Sequence, residues 1–228
     1  MTAPPAPNAA LRRPRIAVVD YGAGNLVSID QALDRVGADV VVARDAEAFR
    51  DADALVVPGV GAAAPAMKRL ARRGLVDPVR RWIEADRPYL GICLGLQLLF
   101  DGSDEDGAET LGIIPGRTTL LGGAPTLPHI GWNQVERVRD HPIFDGIRPA
   151  ADFYFVHSYA GSPTDPEVSL ATTTHGGTFV SAVVRDNVVG VQFHPERSGA
   201  DGLRLLENAV ALLRTGAWTA GREPAGVA

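Results

Sequence analysis

Sulfur is scarce in this chain: among its 228 residues there is one cysteine, Cys93. An internal disulfide is thereby excluded, and a reducing compartment, the cytoplasm, is the expected location. No apolar stretch approaches the roughly 18 residues that a membrane-spanning helix needs, so no membrane is expected as a partner. The first 14 residues lack the apolar segment of a secretory signal. Basic residues are outnumbered, 22 Lys and Arg against 27 Asp and Glu, for a formal net charge of −5. They form no stripe interleaved with aromatics, so nucleic acid is not expected either. The five histidines are not spaced with cysteine or carboxylates as metal ligands, and no metal or other cofactor is expected.

What is present is enough apolar matter for one domain with a full core: 46% of the residues are hydrophobic. Seventeen prolines and 25 glycines fall between the apolar runs rather than in one block. Met1 to Pro14 is rich in Ala and Pro and reads as a disordered tail. The domain is expected over 15–214, with 215–228 as a C-terminal tail.

Apolar, β-branched runs predict strands at Arg15 to Asp20, Val40 to Ala43, Ala54 to Val57 and Pro88 to Ile92. Helical spacing predicts helices over Leu26 to Val36, Ala66 to Arg73, Val76 to Ala85 and Leu94 to Phe100. This alternation implies right-handed βαβ units in an open, largely parallel sheet with flanking helices, an α/β fold. The second half differs. Strand-like runs at Thr118 to Leu121, Val135 to Val138, Asp152 to Val156, Ser169 to Thr173, Thr178 to Val184 and Val188 to Phe193 predict an antiparallel extension. Asp186-Asn187 is the expected turn of a hairpin. Asp201 to Arg214 closes the chain as an amphipathic helix.

Two segments carry chemistry. Gly91-Ile92-Cys93-Leu94-Gly95 has the form of a nucleophile elbow, in which glycines flank a strained strand-to-helix turn. A nucleophile there sits at a helix N-terminus, where the helix dipole favours the thiolate and the Leu94 N–H points at a developing oxyanion. His194-Pro195-Glu196 follows another apolar run. If strand geometry continued through it, both side chains would leave one face, with Glu196 fixing the imidazole of His194. Pro58-Gly59-Val60-Gly61 follows a third strand and frees backbone N–H groups to complete an oxyanion hole. Gln97 lies one helical turn beyond Cys93, on the same face. The segments His129 to Asn133 and Tyr154 to Tyr159 read as core strands with polar edges, and His141 and His175 as loop residues.

Together these motifs make the chain resemble the class I, triad-type glutamine amidotransferases, a flavodoxin-like fold family. Within them it is similar to the glutaminase-subunit group of imidazole glycerol phosphate synthases, over residues 15 to 214. The residues that carry the narrower resemblance are Asp20-Tyr21-Gly22-Ala23-Gly24-Asn25, Pro58-Gly59-Val60-Gly61, Pro128-His129-Ile130-Gly131-Trp132-Asn133, Tyr154-Phe155-Val156-His157-Ser158-Tyr159 and Gly190-Val191-Gln192-Phe193-His194-Pro195-Glu196. The resemblance implies L-glutamine as substrate, with Cys93, His194 and Glu196 as catalytic triad. It implies Gly59, Val60, Gly61 and Leu94 as oxyanion elements, and Gln97, Glu105, Ser158 and Tyr159 as substrate contacts. It further implies a heterodimer with a separate cyclase subunit that consumes the ammonia in histidine biosynthesis. Service to a different ammonia-consuming synthase, and a pure binding role, are the rival readings.

Overall fold

The computed structural model describes residues 12–218. In chain order the elements are β1 (Arg15–Val19), α1 (Leu26–Arg35), β2 (Asp39–Ala43), β3 (Ala54–Gly59), α2 (Ala63–Arg72), α3 (Val76–Glu84), β4 (Tyr89–Cys93), α4 (Leu94–Gln97), β5 (Gly102–Ser103), β6 (Gly116–Leu120), β7 (His129–Arg137), β8 (Ala151–His157), β9 (Tyr159–Pro163), β10 (Ser169–His175), β11 (Gly177–Arg185), β12 (Val188–Val191) and α5 (Gly199–Thr215).

Nine strands form one sheet in the order β2-β1-β3-β4-β12-β11-β10-β7-β8. From β2 to β12 neighbours run parallel. From β12 onward they run antiparallel. The parallel part has the flavodoxin-like order, 2-1-3-4 followed by a last strand, and the antiparallel extension is where the sequence places it. The hairpin at Asp186-Asn187 joins β11 to β12. A small second sheet, β5-β6-β9, lies beside the main one.

The apolar runs explain the layering. Alternate residues of β1 face opposite sides: Ile16 and Val18 belong to one buried cluster with Leu33, Leu206 and Val210, while Ala17 and Val19 belong to another with Leu70, Val79 and Trp82. Helices α1 and α5 thus cover one face and α2 and α3 the other, which is why the central strands β3, β4 and β12 are apolar and buried throughout. Asn25 caps α1 by accepting the Ser28 N–H at 3.3 Å.

Two expectations about extent are revised. The predicted helix from Leu94 to Phe100 is one turn of α-helix, Leu94–Gln97. The carbonyls of Leu98, Leu99 and Phe100 are taken by the amides of residues 111–114, so the helical ladder cannot propagate. The fold also runs past Arg214: α5 continues to Thr215, and Trp218 is buried with its Nε1–H on the Asn187 carbonyl at 2.8 Å. At the other end Arg12 pairs with Asp53 at 2.6 Å and Arg13 bonds Asp34 and the Ala38 carbonyl. The remainder of the two expected tails, 1–11 and 219–228, lies outside the described residues. No helix among the described residues is long and apolar enough to cross a membrane.

Candidate active site

Cys93 ends β4 with φ 54° and ψ −108°, a conformation that non-glycine residues seldom adopt. The strain is held by close packing that only glycine permits. A Cβ on Gly95 would lie 1.7 Å from the Val57 carbonyl oxygen, and one on Gly91 would lie 2.5 Å from the Gly95 carbonyl oxygen. Two buried tyrosines brace the turn and the strand beside it. The Tyr89 hydroxyl donates to the Gly95 carbonyl at 3.1 Å, and the Tyr21 hydroxyl donates to the Pro58 carbonyl at 3.0 Å. Burial raises the pKa of both phenols, so both remain donors.

In the parallel pairing of β3 with β4, Gly59 stands opposite Cys93. The oxyanion candidates therefore flank the thiol: Gly59 beside it, Leu94 after it and Val60 half-exposed at the rim. Gly61 follows with φ 89°, in open space. The helix behind the thiol is one turn long, so its dipole is weaker than the sequence reading supposes.

His194 is reached through β12, the other neighbour of β4. Strand geometry does not carry it there. β12 ends at Val191, and Pro195–Arg197 form a 3-10 turn. The expected same-face strand pair is thus replaced by a turn, because Pro195 cannot extend the ladder. The turn still brings Glu196 Oε1 to 2.8 Å from His194 Nδ1, with both side chains 6% exposed. Ser198 fixes the turn: its hydroxyl donates to the His194 carbonyl at 2.6 Å and accepts the Tyr154 N–H at 3.0 Å. Burial would lower the pKa of His194, but interaction with the Cys93 sulfur and with Glu196 overrides this and raises it to about 10. Nε2 of His194 is buried without a conventional partner on the thiol side of the ring, and so is Glu196 Oε2.

The substrate candidates are divided. Gln97 is buried and donates from Nε2 to the Tyr159 carbonyl at 2.7 Å, which joins two of them directly. The Ser158 carbonyl is occupied by the Leu121 amide at 2.9 Å. Glu105 is exposed just past β5, its amide on the Ser103 hydroxyl at 3.3 Å, and partial burial and Asp106 raise its pKa. No hydrogen bond joins Glu105 to the thiol site among the described residues.

Several residues at the site are given no role at the thiol by the sequence reading, although Tyr21 and Gln192 lie in segments that carry the narrower resemblance. Gln192 is fully buried; its Nε2–H points to the Cys93 sulfur at 3.6 Å, and its Oε1 accepts from Gln97 Nε2 at 3.1 Å. The available signal was one polar residue inside an apolar run. Tyr21, Tyr89 and Ser198 carry no such signal. His175 closes β10 instead of lying in a loop and stacks on His129 at 4.1 Å between ring centroids. His141 is buried and accepts the Ile143 N–H at 3.2 Å, so it is a cap. Among the described residues no group of three or more His, Cys, Asp or Glu is arranged to hold a metal ion.

A thiol on a strained elbow, backed by a His–Glu pair at the carboxyl edge of a parallel sheet, suits acyl transfer from a carboxamide or ester. The model of the family described as glutamine amidotransferase class-I matches residues 17–212.

The chain belongs to the class I glutamine amidotransferase family.

Among curated relatives of this amidotransferase is the imidazole glycerol phosphate synthase subunit HisH of Aquifex aeolicus, 50% identical over 196 residues, covering 85% of this chain and 95% of that protein. The protein of the same name from Symbiobacterium thermophilum is 49% identical, covering 85% and 92%. Solved structures agree on the fold. PurLQS from Thermotoga maritima contains a chain with TM-score 0.72 at 18% identity, covering 89% of this chain and all of that one. A glutamine amidotransferase from Thermotoga maritima has TM-score 0.61 at 16% identity, covering 90% of this chain and 86% of that one.

Proposed function

We propose that this amidotransferase is the glutaminase subunit of an imidazole glycerol phosphate synthase, acting in histidine biosynthesis. The observation that carries the chemistry is the elbow thiol beside the 2.8 Å His194–Glu196 pair. The pathway is supported by relatives near 50% identity that carry that synthase's name over nearly their full length.

Cys93 is the nucleophile. Its sulfur attacks the side-chain carbonyl carbon of L-glutamine, and the carbonyl oxygen becomes an oxyanion. Backbone N–H groups of Leu94 and of the Gly59-Val60-Gly61 segment stabilise it, each worth about 3 kcal/mol. His194, with its high pKa, starts as the imidazolium and gives its proton to the leaving nitrogen, releasing ammonia and leaving a γ-glutamyl thioester. The neutral imidazole then takes a proton from water, which attacks the thioester and releases glutamate and the Cys93 sulfur. Glu196 holds the ring through Nδ1 at every step. Gln97, Glu105 and the Ser158-Tyr159 backbone bind the amino-acid substrate. Ammonia passes to a separate cyclase subunit, and the pair works in the cytoplasm as a heterodimer. The glutaminase domain is taken as 15–214, extended by the turn that buries Trp218.

The deciding measurement is glutamate release by the purified chain, alone and with the cyclase partner plus its nucleotide ligand. Strong stimulation by that partner is expected. Turnover that the cyclase leaves unchanged would keep the triad and remove the pathway.

A further inference from the structure

Besides the capping His141, two buried histidines take no part in the triad. His129 opens β7 and His157 closes β8, and the two face each other in register. Their hydrogen bonds form a row whose direction follows from one end. The Tyr159 carbonyl can only accept, so its 2.8 Å contact with His157 Nδ1 makes that nitrogen the N–H. In a neutral ring the other nitrogen, Nε2, is then bare and must accept. Its neighbour at 3.2 Å, His129 Nδ1, therefore donates. That leaves His129 Nε2 bare in turn, and it accepts from Asn133 Nδ2 at 3.1 Å. Asn133 Nδ2 also donates to the Thr174 carbonyl at 2.9 Å. With neutral rings, no other tautomer pair satisfies all three contacts.

The surroundings favour neutral rings. Burial, reinforced by the neighbouring His175, lowers the pKa of His129 to about 4. Burial likewise brings His157 to about 4: the Tyr159 carbonyl opposes this, while His129, His175 and His194 add to it. Stacking of His129 on Phe155 and on His175, at centroid distances of 4.9 and 4.1 Å, fixes the plane of its ring, and the His157 ring is turned 64° from it.

The far end of the row lies at the thiol. The Tyr159 carbonyl accepts a second bond, from Gln97 Nε2 at 2.7 Å, and the other N–H of Gln97 goes to Gln192 Oε1 at 3.1 Å. Both donors of Gln97 are therefore spent. What remains for a ligand is its carboxamide oxygen, an acceptor, which favours an –NH2 or –NH3+ group over a carboxylate.

We propose that His129 and His157 are positioning residues: their one-way row holds the Tyr159 carbonyl so that Gln97 meets the substrate oxygen-first. The identity of that substrate as glutamine rests on the glutaminase reading. The row itself does not.

The first test is nitrogen-15 NMR of the full chain labelled at histidine, near neutral pH. Both His129 and His157 are expected as neutral Nδ1–H tautomers, the less common form in solution. An Nε2–H tautomer or an imidazolium at either ring overturns the row. The second test is glutaminase kinetics of the chain with its cyclase partner. In His157→Leu the Tyr159 carbonyl loses a donor, and the KM for glutamine is expected to rise about tenfold with kcat within about threefold. His157→Asn places a carboxamide N–H near the lost Nδ1 and should recover most of the KM. Alkylation of Cys93 by iodoacetamide should stay at the wild-type rate in both. An unchanged KM in His157→Leu, or a fall in kcat alone, overturns the positioning role. Should His157→Leu not fold, His157→Asn and the tautomers decide. If the wild-type complex releases no glutamate, the glutaminase reading fails, while the NMR result still tests the row.

Discussion

The two halves of the main sheet present polar groups in opposite ways. In the parallel half the strands are apolar beyond Arg15 and Asp39 at the starts of β1 and β2, and the candidate site lies at their carboxyl ends, with Gly59 at the end of β3 and Cys93 at the end of β4. In the antiparallel half polar side chains are buried along the strands, and His129, His157 and the half-buried Asn133 satisfy one another. On the proposed function the parallel half supplies a reactive edge, and the antiparallel half a positioning wall beside it. Helices covering both faces of a parallel sheet leave only its ends free for polar groups. An antiparallel sheet can carry polar pairs across its face.

This division has measurable consequences. The largest effect falls on the edge. Cys93→Ala should abolish glutamine-dependent turnover, by at least about 10⁴-fold, with ammonia-dependent synthesis by the complex intact. Loss of both activities would show that the thiol also supports the partner. Glu196→Gln should lower kcat by on the order of 10³-fold through the imidazole's tautomer and charge. It should also change the stability profile. The folded pKa of His194, about 10, lies above its ordinary value of 6.5. The stabilisation is therefore complete below pH 6.5 and lost as pH rises through 10. Denaturant midpoints of wild type and Glu196→Gln should accordingly differ most at low pH and converge toward pH 10; a constant gap would break the assignment.

Gly95→Ala tests whether the elbow is a packing device. The new Cβ meets the Val57 carbonyl, so a stability loss of about 3 kcal/mol is expected in urea unfolding. An Ala variant of unchanged stability would mean that the turn has room after all. For the wall, mild acid is the probe. His129 and His157 have folded pKa values near 4, below the ordinary 6.5. The folded state therefore loses stability as pH falls from 6.5 toward 4, and no more below that. Hydrogen exchange should show β7 and β8 opening first; uniform exchange across the sheet would erase the contrast. The smallest effect belongs to Tyr21→Phe, which removes the bond to the Pro58 carbonyl and should cost about 1 kcal/mol. A larger drop in kcat than in stability would mark Tyr21 as a brace for the oxyanion segment.

Most of the edge was legible in the sequence. Cys93 between Gly91 and Gly95, and His194 two before Glu196, announce themselves because a strained turn admits few residue types. The brace behind them was not legible. Tyr21 lies 37 residues from the carbonyl it holds, and Gln192 lies 99 residues from the sulfur it approaches. Nothing local demands either residue. The wall was the least legible part: His129 and His157 look like unrelated polar edges and His175 like a loop residue, and only strand pairing puts the first two in one row with the third stacked on it. The conditional reading of His194 and Glu196 as strand neighbours names two residues that the structure joins at 2.8 Å, through a 3-10 turn rather than a strand.

By itself, then, the sequence determined the alternation of strands and helices, the place of the antiparallel extension and the tight turn at Cys93, because each depends on local periodicity or on steric limits within a few residues. The tertiary structure alone decided how far α4 runs, where Trp218 goes, what braces the elbow and which way the imidazole row points. Those outcomes depend on hydrogen-bond partners far away in the chain, and a partner's identity is settled only when the strands take their places in the sheet.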